Sequence, residues 1–61
     1  MKKEIEEKIK FYLSQYESEM ERVSEFMKNM NTFYALQRLS VAVDYVKDIV
    51  ELIMEELRGG E

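Results

Sequence analysis

The chain has 61 residues, 46% of them hydrophobic and 36% charged, with a formal net charge of -4. That is one small domain, too apolar for intrinsic disorder and too acidic for a phosphate backbone to be its natural partner. Cys and His are both absent, which excludes disulfides and thiolate metal sites and removes the commonest zinc ligand and the side chain best suited to acid–base work near neutral pH.

A chain this short buries only about 60% of the surface its unfolded form exposes. Small scaffolds compensate with disulfides, a metal or association. With the first two removed, association is the expected device, as a homo-oligomer, with a larger protein, or both. No apolar run approaches the roughly 20 residues of a membrane span, and the start, Met1-Lys2-Lys3-Glu4, lacks the apolar core of a signal peptide. A cytoplasmic location is expected. Charges dominated by Glu and Lys, with no Cys, His or Trp, lean towards a thermophile.

Pro is absent and Gly is confined to Gly59 and Gly60, so helix breakers stand only at the C-terminus. The first segment, from about Lys3 to Lys28, carries Ile5, Ile9, Tyr12, Leu13, Tyr16, Met20, Val23, Met27 and Met30 at helical spacing, with Phe26 at the edge of the stripe. Glu4–Lys8 and Glu6–Lys10 form i,i+4 pairs in the favourable order. Phe11 lies away from this stripe, among Lys and Ser, and is a candidate interface residue because aromatics are enriched at binding hot spots.

Between Lys28 and Thr32 stands Asn29-Met30-Asn31. Asn tolerates the left-handed conformation that ends a helix, and Asn31 or Thr32 can cap the next one. The turn is therefore expected at 29–31, followed by a second helix over about 32–58 and a tail, 59–61, where Gly59-Gly60 stops it.

The second helix carries two apolar stripes. The main one, Ala35, Leu36, Leu39, Ala42, Val43, Val46, Val50, Ile53, Met54 and Leu57, with Ile49 beside it, is the expected packing face for the first helix. Gln37, Ser40, Asp44, Lys47, Glu51, Glu55 and Arg58 make the polar side. The sparser stripe, Tyr34, Val41, Tyr45 and Leu52, would then remain open, and these four residues join Phe11 as the expected interface. They also continue the phase of the first helix, which keeps one uninterrupted helix as the alternative to a hairpin.

The fold class expected is all-α: an antiparallel two-helix hairpin, dimerising into a four-helix bundle. No residue set for catalysis, metal or cofactor binding emerges. Glu17/Glu21 and Glu51/Glu55 are carboxylate pairs on polar faces, without the Glu-x-x-His partners of bundle metal sites. Ser14, Ser18, Ser24 and Ser40 have no His to activate them. Met20, Met27, Met30 and Met54 fit ordinary core filling. No enzyme, small-molecule substrate or membrane role is expected. The function that fits is a protein–protein interaction module, an accessory or adaptor subunit of a larger assembly. The alternatives are a self-contained homodimeric structural protein and, less well supported by the charge balance, a nucleic-acid-associated factor using Lys2 to Lys10.

From Phe26 to Leu52 the chain reads Phe, a short polar turn, then Tyr34-Ala35-Leu36-x-x-Leu39-x-x-Ala42. This resembles the helical hairpins of small archaeal proteins grouped as a domain of unknown function, and is similar to half of a tetratricopeptide repeat. Met30-Asn31 replaces the usual Gly-Asp turn, and the Pro and Trp of the repeat are missing. The resemblance implies a hairpin in which small Ala residues let the helices approach, and it implies no activity.

Overall fold

A computed structural model describes residues 2–59, so Gly60 and Glu61 of the expected tail lie outside the described residues. Two helices, α1 (Lys3–Lys28) and α2 (Thr32–Gly59), pack against each other along their lengths. The second helix runs through Gly59 rather than stopping before it. The molecule measures 48 × 16 × 9 Å across its Cα atoms, a layer one helix thick. No helix among the described residues is long and apolar enough to cross a membrane.

The turn is a Schellman motif. Met30, not an Asn, takes the left-handed conformation, at φ 57°, while Asn29 holds φ -90°. The Met30 amide donates to the Met27 carbonyl at 3.1 Å, and the Asn31 amide donates to Phe26 at 2.8 Å. These 5→2 and 6→1 bonds satisfy carbonyls that the helix end would otherwise orphan. The Asn31 carbonyl then accepts the Ala35 amide at 3.1 Å, the first bond of the new helix.

Three contacts fix the register. Tyr12 meets Tyr45, with ring centroids 6.1 Å apart. Glu19 meets Arg38 at 3.3 Å, and Phe26 is joined to Asn31 through the backbone. Each step of seven along α1 is answered by a step of seven back along α2, the repeat of a coiled-coil seam. Extended by the same steps, the seam sets Ile5 level with Leu52. The intervening layers are Ile9 with Ile49, Tyr16 with Ala42, and Val23 with Ala35. Large residues of α1 thus stand over small ones of α2, and Ala35 and Ala42 are 4% and 0% exposed.

This corrects the expected assignment of the two stripes of α2. Of the main stripe, only Ala35 and Ala42 are buried, while Leu36, Leu39, Val43, Val46, Val50, Ile53, Met54 and Leu57 are all exposed. Val41, Tyr45 and Leu52, expected to stay open, are half-buried instead. The two seams lie one residue apart along α2, about 100° in rotation. The inner one presents alanines, which allow close approach, together with the groups that pair with Tyr12 and Glu19. The outer one offers only branched and long aliphatic residues.

Candidate protein-interaction face

In a right-handed helix the step from one residue to the next turns the side chain by about 100°. The helices of a hairpin run in opposite directions, so a one-residue step from the inner seam turns both towards the same broad face of the layer. On α2 that step leads to Leu36, Leu39, Val43, Val46, Val50, Ile53 and Leu57, a strict 3-4 repeat with no polar member. On α1 it leads to Glu6, Lys10, Leu13, Glu17, Met20, Ser24 and Met27, apolar at every second place from Leu13 onward. Leu13 and Met27 are exposed. Together these residues form a front face with an apolar ridge on α2 and a mixed border on α1.

A step in the other sense leads to the back face. There stand Glu4, Lys8, Phe11, Gln15, Ser18, Arg22 and Glu25 of α1, with Tyr34, Gln37, Val41, Asp44, Asp48, Glu51 and Glu55 of α2. The layer is therefore two-sided, apolar in front and charged behind.

The five residues expected to form an interface are divided by this geometry. Phe11 is 58% exposed on the back, its ring 5.8 Å from Tyr12. Tyr34 is 50% exposed, with its ring 5.7 Å from Phe26 beside the turn. Val41, Tyr45 and Leu52 face α1 or its edge. The open face missed from the sequence is the outer seam of α2. The 3.3 Å contact between Glu19 and Arg38 accompanies the turning of Ala35 and Ala42, not Leu36 and Val43, towards α1.

Among the described residues, nothing in the arrangement assembles reactive groups. Surface depressions at Leu36-Leu39-Val43 and at Glu21-Glu25-Lys28 are each lined from a single helix or its end, so they are not clefts between the two helices. Glu6 and Lys10 close an exposed ion pair at 3.6 Å. Among the described residues no group of three or more acidic side chains is placed to hold a metal ion. Comparison with protein families, curated proteins and solved structures finds no match to this chain.

Proposed function

We propose that the protein is a helical protein–protein interaction module, the accessory or structural subunit of an assembly in which its front face closes a four-helix bundle with another helix pair. The carrying observation is the outer seam of α2, an unbroken 3-4 apolar repeat left open in a hairpin whose buried hydrophobic residues, among those described, are Ala35 and Ala42. A surface helix normally shows one apolar stripe. One with two adjacent seams is built to pack on two sides. Fully burying each large apolar side chain contributes about 1.5–3 kcal/mol, more than a pair of alanines can supply to a marginal fold.

Val46 stands near the middle of the seam and is accessible from the front. Val46→Glu would place a charge where none can be paired, and the assembly should open. Gln37→Glu, on the back, should leave it intact. Sedimentation velocity and thermal melts of wild type and both variants test this. A wild type that sediments as a monomer, melting at the same temperature as Val46→Glu, would remove the support for this reading.

A further inference from the structure

We infer that the helix pair closing the bundle is a second copy of this chain, related by a twofold axis perpendicular to the helices, with α2 packed antiparallel on α2 of the copy and α1 on α1. This rests on the proposed bundle and goes further by naming the partner and the arrangement.

Area supports a partner of this size. The chain exposes 5041 Å², whereas a compact monomer of 7.4 kDa exposes about 4,200 Å². The excess of about 800 Å² equals the share each partner contributes to a standard interface. The radius of gyration, 14.3 Å, likewise exceeds the roughly 10.5 Å of a compact domain of this length. A second layer of the same thickness brings both nearer to the compact values without shortening the molecule.

Charge complementarity selects the copy and its orientation. Two front faces can stack with their helices aligned in two ways. If the twofold ran along the bundle, α1 would face α2 of the copy. The observed register would then set Lys10 within one residue of Val46 and Glu17 within one residue of Leu39 of the copy, charges against the apolar ridge. With the axis perpendicular, ridge meets ridge. An axis through Leu13 places Lys10 level with Glu17 of the copy, opposite charges at the border. The Tyr12–Tyr45 register puts Leu13 level with the stretch between Val43 and Val46. The same axis therefore pairs Val43 with Val46 of the copy and Leu39 with Val50 of the copy, the layering of an antiparallel seam. The charges of α1 and the apolar layers of α2 place the axis at positions within one residue, about 1.5 Å, of each other.

The arrangement is tested with single spin labels in the full chain, which contains no cysteine. Asp44→Cys, Glu51→Cys and Arg58→Cys occupy equivalent heptad positions outside the seam, so they differ only in distance from the axis. In the inferred dimer the label-to-label separation between copies is shortest at 44. Its axial component grows by about 3 Å per residue, to roughly 20 Å at 51 and 40 Å at 58. Equal separations at all three positions would overturn the inference in favour of an axis along the bundle, leaving the four-helix reading in place. Absence of any intermolecular separation, with a monomeric mass, would overturn the self-pairing. In that case the Val46→Glu melt, measured on the same preparation, decides whether the face is used at all. A border charge reversal, Lys10→Glu, should weaken the dimer several-fold, and Lys10→Glu with Glu17→Lys should restore it. Failure of the restoration would contradict the axis position.

Discussion

Arg38 donates a hydrogen bond from its Nη1 to Glu19 Oε2 at 3.3 Å, across the seam of the hairpin and nineteen residues apart in sequence. The Glu19 side chain is 12% exposed and that of Arg38 35%, so the carboxylate has little water to turn to if its partner is lost.

Removal of Arg38 alone, as Arg38→Leu, should cost about 1 kcal/mol, because it leaves a part-buried carboxylate without its partner. The double change Glu19→Leu with Arg38→Leu should recover most of this, since an apolar pair of similar volume often serves stability as well as an ion pair. A urea double-mutant cycle measures the coupling. Strictly additive single effects would show that the pair does not act as a unit.

Ala42 has no exposed surface and lies under Tyr16 in the seam register. Ala42→Leu should therefore force the helices apart and cost about 1–3 kcal/mol. Ser40→Leu, at an exposed position two residues away, should change stability by no more than about 0.5 kcal/mol. Equal effects in denaturant unfolding would mean the helices are not in close approach at Ala42.

Met30 carries a positive φ that costs an L side chain roughly 1–2 kcal/mol. Met30→Gly should relieve it, offset in part by the greater freedom of glycine in the unfolded chain, for a net gain of about 0.5–1 kcal/mol. Met30→Val, β-branched, should lose stability. Thermal melts separate the two, and a destabilised Met30→Gly would contradict the Schellman turn.

If folding is completed by association, the melting temperature depends on concentration. For a dimer of this size each tenfold dilution should lower it by roughly 3–6 °C. Scans over two decades of concentration check this, and a constant midpoint would indicate a monomer stable on its own.

The helices and their break were legible because propensity, spacing and the lack of Pro all agree from Lys3 to Lys28 and from Thr32 onward. The turn residue was not. Asn29 and Asn31 both tolerate the left-handed region, but helix length put Met30 there. The face of α2 that meets α1 was also misassigned. Hydrophobicity ranks Leu36, Val43 and Val46 above Ala35, Ala42 and Tyr45, but a two-helix contact is decided by closeness of approach and by pairs such as Glu19–Arg38. On a helix apolar over so wide an arc, counting apolar residues cannot tell the inner seam from the outer one.

The seven-residue correspondence between the helices also governs which changes of length the chain can absorb. Seven residues added to each helix, level with one another, would repeat the pattern and leave every later pair in place. Deletion of Gln37 alone would not. Leu39, Val43, Val46, Val50 and Ile53 would rotate into the places of Arg38, Ala42, Tyr45, Ile49 and Leu52, and the front of α2 would become Ser40, Asp44, Lys47 and Glu51. A loss of one codon would thus move the open apolar surface to the other side of the layer while the chain kept its two helices, visible as unchanged helical circular dichroism with altered sedimentation. Changes of length that preserve the layer are therefore expected to come in paired heptads rather than in single residues.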